Sequence, residues 1–574
     1  MTENFDVAII GGGPAGSTVG SLLKKYNSDL KVLILERECF PRDHVGESLL
    51  PVISAVLDEI GVWDKIEAAN FPVKIGATYR WGRTKDLWDF EFLPDGKFDD
   101  QPRPAKYSGQ RVKTAFQVDR AIYDKILLDH AAGMGCVVRQ QTSVRTVNRE
   151  GDAVTSLTLD NGTEIKARYY VDASGHAGIL RRTMGVHVDC PTKLQNIAIW
   201  DYWRNAEWAV NIGVGGTRIQ VLSLSYGWIW FIPLGPDRTS IGLIVPAKYY
   251  KEQGKTPEQL YTEAVGSDAL LNRLLAKASR EDKLATTNDW SFVSERLTGD
   301  NWFLAGESAG FADPILSAGL SLAHLGSRDV AYVILGLDRK DYEPEWLRHY
   351  YCSTHRYQIR QHIRFADFWY TANGVFSDLK DHARQIALDA GLSLTSDKAW
   401  QWLGQGGFIE RNSGTSVGGY GLFLGKKIIS SFTGEEAHYE IVGKSHFKLN
   451  LEGAEKDWTG EMQNGKITRR RMYRRDGKLL PMLDVMGWLT TFLKTERTFE
   501  ELVMATRNYA MEIGQAGPTF PKFWEEVLTD LEALVSDGWV IARTDPSARA
   551  ILPINLDVSS QVHDNRDEEL RAKA

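Results

Sequence analysis

The sequence predicts an α/β chain built on a dinucleotide-binding sheet, with a mostly helical C-terminal region. Three observations carry that expectation. The first is a strand–glycine–helix–strand run: FDVAII at 5–10, GGGPAG, the helical SLLKKY, then KVLILE ending at Glu36. The second is a pair of later apolar strands, YYVDASG at 169–175 and WFLAG at 302–306. The third lies at 465–552, where LLPMLDVMGWLTTF, TFEELVMATRNYAME and FWEEVLTDLEALVSDGWVIAR alternate as three helices and a terminal strand pair. A length of 574 residues leaves room for two to four domains.

Taken in order, Gly11, Gly13 and Gly16 give the G-x-G-x-x-G spacing, with Pro14 and Ala15 inside it. One glycine turns the chain, one lets backbone approach a pyrophosphate, and one packs helix on strand. The N-terminus of the following helix supplies an anion site. Glu36 closes the second strand, where a carboxylate bonds a ribose 2′-hydroxyl and repels a 2′-phosphate. Its neighbour Arg37 joins the candidate cofactor contacts. The chain then passes Arg42 in PRDHVGESL, with Gly46, Glu47 and Ser48, and QVDR at 117–120. The strand at 169–175 runs into Asp172, and the one at 302–306 into Glu307.

This order resembles the two-domain FAD proteins of the glutathione-reductase-like class, a Rossmann-type sheet plus an antiparallel substrate sheet. The resemblance implies FAD, with Arg120 near the flavin phosphates and ribose. Arg42 and Ser48 would lie in a segment closing over the cofactor, a surface salt bridge being the alternative for Arg42. In that class a late Gly-Asp binds the ribityl chain; here Gly306-Glu307 is one methylene longer with the same charge. No second G-x-G-x-x-G is present to hold a nicotinamide, transient NADPH binding by arginines or lysines elsewhere, as in the aromatic hydroxylases, being the alternative.

The middle of the chain is more specific. YGWIWFIPL at 226–234 places Trp228 and Trp230 on one side of a strand, since strand side chains alternate faces, and Pro233 ends it. Alone, W-x-W reads as core packing. GWIWFIP, however, matches the G-W-x-W-x-I-P signature of flavin-dependent halogenases. FADPILSAG at 311–319 is similar to their F-x-x-P-x-x-S-x-G through Phe311, Pro314, Ser317 and Gly319. FPVKIGATYRWG at 71–82 resembles the segment carrying their essential lysine, here Lys74, and DWSF at 289–292 resembles their D-W-S-Y.

The likeness covers residue 1 to about 375. It implies a halogenase using FADH2, O2 and chloride or bromide. Trp228 and Trp230 would screen the flavin from the organic substrate, so that hypohalous acid alone travels between them. Ser317, Ala318 and Gly319, at a helix start, would offer amide donors and a favourable dipole to halide. Lys74 stands in an apolar V-K-I stretch where burial lowers an ammonium pKa; snorkelling to the surface is the alternative. It would either orient hypohalous acid or form a chloramine, and the sequence leaves both open. Tryptophan halogenases carry a glutamate before the motif serine. Leu316 stands there instead, which points to phenols or pyrroles that activate their own ring carbons, an enol-type carbon acid being the alternative. Asp289 admits a covalent flavin ester, with a turn cap as the favoured alternative. A hydroxylase or geranylgeranyl-reductase-like enzyme of the same fold is the second reading, and a redox-inactive docking flavoprotein the third.

Composition sets bounds on partners. With 68 basic and 75 acidic residues, the net charge of −7 argues against nucleic acid. Four scattered cysteines without CxxC favour a reducing, cytoplasmic setting. No apolar run reaches the roughly 18 residues of a membrane span. His355 and His362 share a helix face without a third ligand, so no metal is expected. The expected organisation is a core over 1–375, its FAD parts at about 1–75, 110–190 and 285–335 and its substrate parts at about 76–109 and 191–284. An irregular connection at 376–464, a winged-helix-like region at 465–552 and a flexible tail at 553–574 follow. The basic strand RRRMYRR is expected to be a solvated face. Partners implied are a small aromatic substrate, free or carrier-tethered, and a separate flavin reductase.

Overall fold

The computed structural model describes residues 1–81, 87–93, 98–99, 101–191, 195–213, 215–373, 438–476, 478–552 and 562–564. The chain divides into two compact units, the first built mainly from residues up to 373.

Two sheets dominate the first unit. In one, Thr2–Ile10 lies between Val32–Leu35 and Glu164–Asp172, parallel to both. Val137–Arg139 and Trp302–Leu304 extend it in parallel, while Val144–Glu150 and Ala153–Leu159 close it as an antiparallel pair. Its inner strands are unbroken apolar runs because helices cover them; VLIL at 32–35 is buried throughout. Helix Pro14–Tyr26 follows the glycine loop and packs on helix Ala318–Arg339. A buried His324 on the latter bonds Thr18 Oγ1 at 2.9 Å and Tyr123 Oη at 2.8 Å. Burial pushes its pKa down to about 3, so the neutral ring serves one partner as donor and the other as acceptor.

The second sheet is mixed. Gln195–Arg204, Arg238–Pro246, Gly227–Pro233 and Gly216–Leu224 pair antiparallel in that order, and Gly216–Leu224 then pairs parallel with Val73–Arg80. One face carries Leu222, Ile229, Phe231 and Leu243 against Leu260, Tyr261, Leu270 and Leu271 of two short helices. Thr256 begins the first of these with a capping box to Gln259, and Asp268 caps the second. Both sheets lie in one compact unit. Of the segment expected to be a loose tail, Val562–Asp564 instead form a strand on Trp88–Glu91.

The second unit is described from residue 438. His446–Leu449, Arg497–Thr498 and Val540–Arg543 form a small antiparallel sheet. Helices Asp484–Phe492, Phe499–Glu512 and Phe520–Ser536 pack with it around Phe447, Leu489, Leu502, Leu531 and Trp539. Strand structure therefore begins before 465, because His446–Leu449 is the partner that Val540–Arg543 requires. The basic run lies in strand Lys466–Arg475, where Arg470 pairs with Glu461 and Arg474 with Asp457. Residues 374–437 of the expected irregular connection lie outside the described residues.

Candidate active site

The glycine loop, the strand ends and the arginines come together around helix Pro14–Tyr26. Gly16 is dictated by packing: a Cβ there would stand 2.0 Å from the Gly11 carbonyl oxygen. The helix has no side-chain cap at Gly13, so its first amides remain available to an anion. Glu36 is buried; its Oε2 accepts from Gly12 N at 2.8 Å and its Oε1 from Glu38 N at 2.9 Å. Arg42 lies over Phe40, pairs with buried Asp124 at 3.3 Å and reaches the vicinity of Gly13. Arg120 holds the same Asp124 through two nitrogens and donates to the Val45 and Gly46 carbonyls, anchoring the 45–48 segment. Glu307 stands beside Gly175, its carboxyl pKa raised by desolvation. Buried Ser48 Oγ and both amide atoms of the Gln117 side chain lack a partner among the described residues. Orphaned buried polar atoms, together with an uncapped helix N-terminus, suit a bound dinucleotide cofactor.

Two of the sequence-selected residues are placed differently. Asp172 takes N–H donors from Ser174, Leu180 and Arg181 and the Ser174 hydroxyl, so it shapes the strand-end turn and does not offer an open carboxylate. Arg37 is 69% exposed and pairs with Glu38. Asp289 sits in strand Ala285–Trp290 opposite Asn196, and its side chain lies outside the described residues.

Lys74 reaches the second sheet's inner face through a backbone irregularity. Thr217 pairs with Lys74 but Arg218 pairs with Gly76, leaving Ile75 as an extra residue. Such a bulge re-aims a side chain. Counted across the sheet, Lys74 shares a face with Ala77, Tyr79, Val221, Trp230 and Trp228. The lysine is 1% exposed, and desolvation lowers its pKa to about 7. Its Nζ lies 3.5 Å from Ser317 Oγ and 5.5 Å from the Phe92 ring centre.

Ser317 follows the turn Pro314–Leu316 with φ 57° and starts helix Ala318–Arg339 without a side-chain cap. The amides of Ala318 and Gly319 thus begin the helix where no internal acceptor exists. Trp228 and Trp230 are 2% and 5% exposed, their rings 6.0 Å apart and tilted by 54°.

Sequence reasoning missed several neighbours. Trp81 packs edge-on against both Trp228 and Tyr370. Trp228 Nε1 donates to Tyr370 Oη at 2.7 Å, and Tyr370 donates to Asp313 at 2.9 Å. Burial raises the Asp313 pKa to about 6. Trp230 Nε1 donates to Ser240 Oγ at 3.1 Å; Ser240 stands near Glu47, whose pKa burial raises to about 7. Asp313 did carry a local signal, a carboxylate in an otherwise apolar FADPIL. Tyr370 and Ser240 carried none.

A family profile described as FAD binding domain matches residues 4–338. The chain is 33% identical over 388 residues to the 1H-pyrrole-2-carbonyl-(peptidyl-carrier protein) chlorinase of Pseudomonas fluorescens, covering 65% of this chain and 85% of that protein. The chain belongs to the flavin-dependent halogenases. This halogenase is also 33% identical over 332 residues to the tryptophan 2-halogenase of Chondromyces crocatus, covering 56% of this chain and 59% of that one. In fold it is similar to the crystal structure of CmlS, a flavin-dependent halogenase. The TM-score is 0.70 at 24% identity, over 96% of this chain and 98% of that one. It is an FAD-binding oxidoreductase. Among the described residues no helix is long and apolar enough to cross a membrane, and no cluster of His, Cys, Asp or Glu could hold a metal.

Proposed function

We propose that this halogenase transfers chloride- or bromide-derived halogen to a phenol or pyrrole, through Lys74, behind a screen formed by Trp228 and Trp230. The observation that carries the reading is a buried lysine with no carboxylate partner among the described residues, on the same sheet face as both indoles and beside Ser317. Reduced FAD and oxygen, when bound, supply the oxidising equivalent that turns halide into hypohalous acid. Glu36, Arg42, Arg120, Ser48 and Glu307 would hold the cofactor, with Gly11, Gly13, Pro14, Ala15 and Gly16 at its pyrophosphate. The Ser317, Ala318 and Gly319 segment would hold halide through amide donors.

Only the neutral amine has a lone pair for electrophilic halogen, and a pKa near 7 keeps that form accessible. The Lys74 amine would attack hypohalous acid, forming a nitrogen–halogen bond and releasing water. The substrate ring carbon then takes the halogen, loses its proton and returns the amine. Leu316 offers no carboxylate to polarise an indole, which favours rings that activate themselves. The pyrrole-carrier chlorinase supports a substrate that is delivered on a carrier protein, and a separate reductase would supply reduced flavin. The C-terminal unit, with three helices on a three-stranded sheet, reads as winged-helix-like. The chain's four thiols, none in a disulfide, fit the cytoplasm.

Lys74→Ala tests the reading. Halogenated product should disappear while oxygen is still consumed and peroxide released. Persisting halogenation by that variant would overturn it.

A further inference from the structure

Each indole N–H of the tryptophan screen ends on a hydroxyl; one hydroxyl donates to a buried carboxylate and the other stands near one. The two chains run to different parts of the site. Tyr370 accepts from Trp228 at 2.7 Å and from Asn196 Nδ2 at 3.2 Å, and donates to Asp313. The Asp313 carboxylate also accepts from Asn196 and, at 3.0 Å, from Ile315 N in the turn that delivers Ser317. One carboxylate therefore ties the first indole to the segment carrying Ser317. Ser240, opposite Ile232 on the neighbouring strand, holds Trp230 and stands near buried Glu47, in the segment anchored by Arg120. Two residues along, Gly242 leaves room for the same indole: a Cβ there would lie 2.0 Å from the Trp230 ring.

Trp228 and Trp230 meet at a tilt, and Trp81 meets Trp228 edge-on, ring contacts that leave each indole N–H to find its acceptor elsewhere. A buried indole N–H must keep its acceptor, and that requirement selects one ring orientation.

We propose that Tyr370, backed by Asp313, and Ser240 are positioning residues that lock the two indoles and so set how much oxidant reaches the substrate as halogen. This rests on the reading that Lys74 passes the halogen on. Without either hydroxyl, the unpartnered indole turns to find another acceptor. The barrier then leaks, and oxidising equivalents are lost as peroxide before they reach Lys74.

The test is the yield of halogenated product per oxygen consumed, measured on the full FAD-loaded chain with chemically reduced flavin. Tyr370→Phe, Ser240→Ala and Ser240→Thr are compared with wild type and Lys74→Ala, and flavin absorbance reports that each variant is loaded. Tyr370→Phe and Ser240→Ala should lose roughly tenfold in yield, on the scale of one orphaned buried donor. Oxygen consumption should change by less than about twofold, with the difference recovered as peroxide. Ser240→Thr, which keeps a hydroxyl, should restore the yield. Wild-type yield in a loaded Tyr370→Phe or Ser240→Ala, with Lys74→Ala inactive, overturns the positioning role alone. Halogenation by Lys74→Ala overturns the parent reading. Equal loss in Ser240→Thr and Ser240→Ala shows a packing defect and also overturns the inference.

Discussion

Lys74 is a residue the folded chain would be more stable without. Its amine is enclosed beside Phe92 and Ser317, and desolvation takes its pKa from 10.5 to about 7. The unfolded chain therefore binds more protons, and stability must rise with pH between those values. The penalty is full below about pH 7, shrinks through the interval and is gone above about 10.5. Lys74→Met should thus stabilise the protein by a few kcal/mol at pH 7, since a tenfold weakening of proton binding corresponds to about 1.4 kcal/mol. The gain should fade as the pH approaches 10. Denaturant titrations at pH 7 and 9.5 check this, and equal gains at both would place the amine in water. The same group should leave its mark on catalysis, product formation climbing through about pH 7 as the amine loses its proton.

At the scale of elements, the single extra residue in Val73–Arg80 decides which side of the sheet Lys74 faces. Arg218, at that irregularity, sends its guanidinium to Asp89 and Glu91, each at 2.8 Å, on the strand beyond Gly76. It spans three strands and fixes their register where the bulge sits. Arg218→Met should remove the cation that these two buried carboxylates share, costing on the order of 3–5 kcal/mol, measurable by thermal unfolding. A loss below about 1 kcal/mol would mean that the clamp contributes little. None of this was legible in the sequence. The glycine spacing, Glu36 and the W-x-W strand could be read because their chemistry depends on neighbours a few residues away. The bulge depends on a pairing 143 positions apart, Thr217 with Lys74, and the Tyr370–Asp313 bond on a separation of 57. The Asp172 turn failed differently: its position at a strand end was legible, but not the four donors that occupy it.

For the first unit as a whole, the two sheets meet through helix Ala318–Arg339. Its body packs on helix Pro14–Tyr26, bonded through His324, while its first residue follows Ser317 toward Lys74. Tyr79 adds a second tie, donating to the Ile315 carbonyl at 3.2 Å. The cofactor cradle and the lysine are thus held by one rigid element, with the indoles on the lysine's own sheet face. That arrangement supports separating the oxidant from the organic ring, the feature that sets a halogenase apart from a hydroxylase of the same fold. The most direct measurement omits halide. Wild-type protein given reduced FAD, oxygen and an electron-rich phenol in halide-free buffer should release peroxide and leave the phenol unchanged by mass spectrometry. A phenol gaining one oxygen under those conditions would contradict the account.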